Sequence, residues 1–177
     1  MAKRIVVNIE KCVGCGSCEF YCAVAHSSSK DPVKIMVEGE KPGYRINVES
    51  YGSRPVPVTC RQCDEPACVM ACPTGAVHRN SKNFPVLVDD DPCIGCGMCV
   101  QACPFGVMAS KPSGKGVLKC DLCVERLAKG MKPACVTACL TGALVFEEED
   151  ESNRDKRKKT AEQMVAAQFE HKTNSGQ

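Results

Sequence analysis

Cysteine spacing constrains this chain more than any other feature. Cys93-Ile94-Gly95-Cys96-Gly97-Met98-Cys99 is followed by Cys103-Pro104, so three cysteines at two-residue intervals lead to a fourth. This is the ligand run of a [4Fe–4S] loop in which the fourth cysteine serves a different cluster. Cubane geometry gives the reason. A tight loop brings three thiolates to three corners of one cube but cannot fold back to supply the fourth. A run of this kind therefore implies a partner run. Gly95 and Gly97 let the backbone curl close around an inorganic core with amide hydrogens free to face sulfur.

Three further sets obey the same logic. The first is Cys12-Val13-Gly14-Cys15-Gly16-Ser17-Cys18 with Cys22, where Ala23 stands in place of proline. The second is Cys60, Cys63, Cys68 and Cys72-Pro73, with one gap stretched to four residues. In the fourth set, Cys120, Cys123, Cys135 and Cys139-Leu140, eleven residues separate the second and third cysteines. Four sets of four use all 16 cysteines of the 177 residues, which predicts four [4Fe–4S] clusters. Zinc knuckles would suit the second and fourth sets alone, but not the triple spacing or the Cys-Pro ends. A disulfide scaffold is the other meaning of so many cysteines. It fits poorly here, because Met1-Ala2-Lys3-Arg4 leads only into Ile5-Val6-Val7, too short for a signal peptide core. The expectation is a cytoplasmic protein with reduced, metal-bound cysteines and no membrane span. Tryptophan is absent and aromatics make up only 5 %, so a large hydrophobic core is not expected and metal ligation must supply much of the folding free energy.

Twenty residues separate Cys72 from Cys93, and the second and third sets share the Cys-Pro ending, so these two pair. The first and fourth sets both lack that proline and are left for each other. The predicted ligand groups are Cys60, Cys63, Cys68 with Cys103, and Cys93, Cys96, Cys99 with Cys72. The outer groups are Cys12, Cys15, Cys18 with Cys139, and Cys120, Cys123, Cys135 with Cys22. The predicted organisation is an outer ferredoxin-like module, 1–22 plus 120–146, and an inner one with its linker, 60–119. Residues 23–59 form an insert between them, and 147–177 a charged tail. The fold class is α+β: two nested bacterial-ferredoxin-like modules of short β-hairpins and short helices, with a β-hairpin insert and a C-terminal helix.

Between the sets, residues 5–9, 86–88 and 143–146 read as short strands. Within the insert, 33–38 and 44–51 read as the two strands of a surface hairpin, because Tyr44, Ile46 and Val48 alternate with polar residues. That hairpin serves either as a cover over a cluster or as a docking surface. Residues 104–119 read as a linker, and 124–129 as a helical turn ending at Gly130. In the tail, Thr160 and Gln163 resemble a capping box, and Ala161, Met164, Val165, Gln168 and Phe169 share one helical face.

A cube with four thiolates has no open coordination site, so the prediction is an electron carrier with no catalytic residues. His26, His78 and His171 lie far apart, and His26 reads as a polar side chain packed by the insert. Lys119, Arg61 and Arg126 sit beside ligands and read as solvated charges, the alternative being that they tune potentials or dock a partner. No Walker A loop, dinucleotide glycine fingerprint or nucleophile elbow is present. A terminal reductase acting alone and a tail-driven assembly module are the competing function classes.

The pieces CRQCDEPACVMACPTGAV, CIGCGMCVQACPFGV and KCDLCVERLAKGMKPACVTACLTGAL make the chain resemble, over about residues 1–146, the four-cluster iron–sulfur subunits of dimethyl sulfoxide reductase, formate dehydrogenase and hydrogenase complexes. That resemblance implies the same nested pairing. CEFYCAVAHSSSKD and the hairpin after it look most like the electron-transfer subunit of carbon monoxide dehydrogenase (CooF type). Gln62 stands where that family commonly has histidine, and Leu140 where it has proline. The resemblance implies electrons taken from a carbon monoxide dehydrogenase and passed to a hydrogenase or a flavin-dependent NAD(P) oxidoreductase. Its alternative is an electron-transfer or filament-forming subunit of a formate dehydrogenase or hydrogenase complex.

Overall fold

The computed structural model describes residues 3–40, 42–112, 114–148, 153–154 and 157–165. The chain runs β1 (Lys3–Val7), α1 (Ser17–Ala25), α2 (Pro32–Glu38), β2 (Ile46–Tyr51), β3 (Arg54–Thr59), α3 (Ala67–Met70), β4 (Val77–His78) and β5 (Leu87–Val88). It continues through α4 (Met98–Ala102), β6 (Ala109–Ser110), β7 (Val117–Leu118), α5 (Val124–Ala128), α6 (Ala134–Thr137) and β8 (Leu144–Glu148). A last helical stretch, α7, covers 157–165. Among the described residues the strands make four antiparallel ribbons: β1–β8, β2–β3, β4–β5 and β6–β7. This is the expected α+β class.

The ends of the chain are joined. β1 pairs with β8 over five residues, Ile5 opposite Phe146 and Val7 opposite Leu144. Ile5, Ile46, Leu122 and Leu144 then form one buried cluster with Cys18, Cys22, Cys120 and Cys135. A second cluster, Val77, Val86, Met108 and Val117 with Cys99, gathers the middle of the chain. Each core is thus a thin aliphatic shell around cysteines.

Three local expectations change. Residues 33–38, expected as a strand, are the helix α2. Pro32 opens it, the Asp31 carboxylate accepts from the Val33 and Lys34 amides at 2.8 and 3.2 Å, and Gly39 ends it at φ +66°. These start and stop signals outweigh the β-branched valines. The hairpin of the insert therefore consists of β2 and β3, with Ile46 opposite Thr59 and a turn at Gly52-Ser53. Residues 104–119 are more than a linker, because they hold β6 and β7 and contribute Val107, Met108 and Val117 to the buried set.

The β2–β3 hairpin covers the first cysteine loop. Val48 donates its amide to Glu19 Oε1 at 2.8 Å, and a Cβ on Gly14 would meet Pro55 at 3.1 Å. The tail helix α7 is exposed throughout. Gln168, Phe169 and His171 lie outside the described residues. No helix among the described residues is long and apolar enough to cross a membrane.

Candidate iron–sulfur sites

All four cysteine sets share one backbone device. The third position of each Cys-x-x-Cys turn has positive φ: Gly14 (+69°), Gln62 (+51°), Gly95 (+69°) and Leu122 (+58°). A left-handed residue there turns the second cysteine back toward the first. Glycine takes this conformation freely, whereas Gln62 and Leu122 adopt it at a cost of about 1–3 kcal/mol each. Both are buried, so contacts in the core hold them. Gly16 and Gly97, again at positive φ, then start α1 and α4, which present Cys18 and Cys99 from their first turns. In the second and fourth sets the short helices α3 and α6 present Cys68 and Cys135.

Cys12, Cys15, Cys18 and Cys139 line one small cavity, with Val48, Pro57, Ala143 and Leu144 among its walls. Cys60, Cys63, Cys68 and Cys103 line a second, with Val86, Phe105, Val107, Met108 and Lys119. Cys22 lies beside Cys120 and Cys123, and Cys135 beside all three. Cys99 lies beside Cys72 and Cys93, while Cys96 is exposed. The groups also touch one another. Cys135 is within electrostatic reach of Cys18, Cys120 of Cys60, and Cys68, Cys72 and Cys103 pack on the buried shell that holds Cys99.

The sulfurs are prepared as acceptors. Backbone amides of Arg45, Gln62 and Val77 reach Cys22, Cys60 and Cys72 at 3.3, 3.4 and 3.4 Å. Thr74 and Thr141 hydroxyls lie 3.8 Å from Cys72 and Cys139, two residues before them, in the repeated Thr-Gly-Ala that follows each of these fourth cysteines. At these two cysteines burial works to raise the thiol. The Val77 and Leu144 amides with the two threonines outweigh it, and both thiols fall below the ordinary value. Deeper in, desolvation dominates, pushing Cys22 and Cys120 up to about 12 and Cys18 up to about 11. Iron requires thiolate, so metal uptake is coupled to loss of these protons. Convergent sulfurs, apolar walls and amide donors are the surroundings a thiolate-ligated cube requires.

One structure joins the inner and outer groups. Gln62 Nε2 donates to the Cys120 carbonyl at 2.8 Å, and Gln62 Oε1 accepts from the Val86 amide at 3.0 Å. Lys119 Nζ donates to the Val86 and Cys120 carbonyls at 2.8 and 2.9 Å. Four residues thereby close a ring between the second and fourth cysteine sets. Lys119 is only 4 % exposed, so it is a buried cation and the expectation of a solvated charge fails. Nothing in its local sequence marks it beyond standing before a cysteine. Arg61, by contrast, lies over the Phe105 ring at 5.9 Å, and Arg126 Nε donates to the Lys132 carbonyl at 3.0 Å.

His26 is held by the fourth set and the end of its own helix, not by the insert alone. Its Nδ1 is 2.7 Å from the Cys22 carbonyl oxygen and its Nε2 is 3.1 Å from Asp121 Oδ1. Asp121 also pairs with Arg45 at 3.0 Å and accepts from the Cys123 amide at 2.9 Å. Burial opposes its ionisation, but His26 and Arg45 outweigh that and hold the carboxyl well below the ordinary carboxylate range. The three residues tie the first set, the insert and the fourth set together. His78, 3.7 Å from Asp89, lies elsewhere, and His171 is outside the described residues.

Residues 53–149 match the 4Fe–4S dicluster domain family, and residues 9–25 a 4Fe–4S binding domain. The thiosulfate reductase electron transfer subunit PhsB of Salmonella typhi is 39 % identical over 144 residues, 81 % of this chain and 74 % of that one. The electron transport protein HydN of Escherichia coli is 36 % identical over 179 residues, 91 % of this chain and 98 % of that one. The B subunit of the anaerobic dimethyl sulfoxide reductase of Escherichia coli is 34 % identical over 154 residues, 82 % of this protein and 73 % of that subunit. Two matched iron–sulfur domains and sixteen cysteines in four sets make this a carrier of four [4Fe–4S] clusters.

Proposed function

The chain belongs to the 4Fe–4S dicluster family of iron–sulfur electron-transfer subunits, and from that premise we propose that it is a non-catalytic wire subunit with nested ligand sets. In this reading one cube is held by Cys12, Cys15, Cys18 and Cys139, and the next by Cys120, Cys123, Cys135 and Cys22. The third is held by Cys60, Cys63, Cys68 and Cys103, and the last by Cys93, Cys96, Cys99 and Cys72. The supporting observation is the pair of cavities that each gather three cysteines of one set with one from a distant set. When bound, the clusters supply one-electron centres whose potentials follow hydrogen bonding, charge and solvent access.

The protein's own residues do the rest. Aliphatic walls exclude water, amides and threonine hydroxyls face the sulfurs, and the Gln62–Val86–Lys119–Cys120 ring keeps inner and outer groups in contact. Electrons enter and leave where cysteines reach the surface. Cys15 is exposed, with Val13 of its own loop 67 % exposed and Leu140, next to Cys139 in the chain, 88 % exposed. Cys96 is exposed at the other end of the series, beside Ile94. These two ends are where partner proteins dock.

The partner we propose is a cytoplasmic carbon monoxide dehydrogenase as donor, with a hydrogenase or flavin NAD(P) oxidoreductase as acceptor. This rests on residues 18–31 and the hairpin that follows. The second reading, a subunit of a formate dehydrogenase, hydrogenase or related reductase complex, is favoured by the relatives named as reductase subunits. Anaerobic pull-down followed by bleaching assays separates them. Bleaching of the visible chromophore by carbon monoxide with its dehydrogenase, but not by formate with its enzyme, is expected. Bleaching only by formate or hydrogen transfers the chain to the second reading.

A further inference from the structure

We propose that Lys119 is an electrostatic tuning residue of the wire, whose buried ammonium raises the reduction potential of the two central clusters. The inference rests on the ligand sets proposed above and deepens them.

A lysine with 4 % exposure and no carboxylate partner among the described residues is an unusual object. Burying an uncompensated cation is costly, and such a residue needs a negative charge nearby. Its two carbonyl bonds, to Val86 and Cys120, satisfy two of its three N–H donors. The third has no partner among the described residues, yet the side chain lines the cavity that gathers Cys60, Cys63, Cys68 and Cys103. The counter-charge is therefore what that cavity holds. A cube with four thiolates is anionic when oxidised and carries one more negative charge when reduced. A fixed cation in a water-poor wall stabilises the reduced form more than the oxidised one, and the potential rises.

The second neighbour follows from the same atoms. Lys119 grips the carbonyl of Cys120, the first cysteine of the adjacent set, and precedes it in the chain. Its side chain lines the cavity of Cys60, Cys63, Cys68 and Cys103, while its Nζ lies 2.9 Å from the backbone of Cys120. It thus faces the cubes on either side of the junction. The cavity that gathers Cys12, Cys15, Cys18 and Cys139 has no cation among its lining residues. Its effect is a downhill step into the middle of the series, which makes the middle easier to reduce than it would be without the lysine.

The substitution to test is Lys119→Gln, which keeps a hydrogen-bond donor for a carbonyl and removes the charge. The chain is reconstituted anaerobically, iron is counted, and the clusters are followed by EPR during a potentiometric titration. The expected result is four clusters in both proteins and a selective fall of two midpoints. At a fixed applied potential the reduced-to-oxidised ratio of those two clusters drops about tenfold, which is about 59 mV for a one-electron couple. Lys119→Arg is expected to restore both. If one central cluster is lost from Lys119→Gln, the other still reports. No selective shift, or an equal shift of all four, overturns the proposal. So does loss of both central clusters from Lys119→Gln and Lys119→Met with unaltered potentials in Lys119→Arg, which would make the residue a clamp of the loops. A wild-type chain that holds fewer than four clusters would instead sink the ligand sets, a separate failure read from iron alone.

Discussion

At Gln62 the backbone and the side chain make different demands, and the residue meets both. Its φ of +51° is the turn the cysteine loop requires, and its amide closes the ring across to Val86 and Cys120. Glycine would relieve the backbone but leave the Val86 N–H without an acceptor. Leucine, nearly the same size, would keep the burial and lose both bonds. Gln62→Leu is therefore expected to cost about 1–3 kcal/mol, the penalty of leaving a buried polar group unpaired. Anaerobic denaturant unfolding of the loaded protein measures it. An unchanged midpoint would mean that the ring contributes nothing. Leu122, at the matching position of the fourth set, meets the same backbone demand with apolar packing alone.

The elements of this protein are too short to be stable by themselves. β4, β5, β6 and β7 have two residues each, and α3 and α6 four. Isolated turns of that length do not survive in water, so each persists because a neighbouring ligand loop and a few aliphatic side chains hold it. The tail helix α7 differs, being exposed over its whole described length and carrying none of the sixteen cysteines. Deleting 152–177 is expected to leave iron per chain and the number of chains per particle unchanged. Fewer chains per particle in that experiment would give the tail an assembly role. The helix α2 also projects apolar residues, Val33, Met36 and Val37, into solvent, although its Ile35 is buried.

At the scale of the molecule, the closing of β1 on β8 makes one body of the two ends of the chain. The first cysteine loop lies next to the last, and the middle sets are enclosed between them in sequence. A chain ended at Lys119 loses β8 together with Cys120, Cys123, Cys135 and Cys139. It is expected to retain no more than half of its iron after anaerobic reconstitution, since both outer ligand sets lose members. Full retention of the cluster at Cys12, Cys15 and Cys18 in that truncated chain would refute the nested arrangement.

Ligand chemistry is legible in the cysteine intervals because a cube tolerates few loop lengths, and the α+β class follows from the same short intervals. The repeated Thr-Gly-Ala after Cys72 and Cys139 is also present in the letters, although its hydroxyls acquire meaning only beside sulfur. Residues 33–38 read as a strand because valine and isoleucine suit strands, whereas Asp31, Pro32 and Gly39 set the helix from outside that window. Lys119 is out of reach for another reason. A lysine beside a cysteine is usually solvated, and burial depends on which distant segments close over it, here Val86, Met108 and the second cysteine set. Spacing along the chain limits what each loop can bind, because that is a local matter of reach. Which charge is removed from water, and which carbonyls grip it, is decided only when segments far apart in sequence come together.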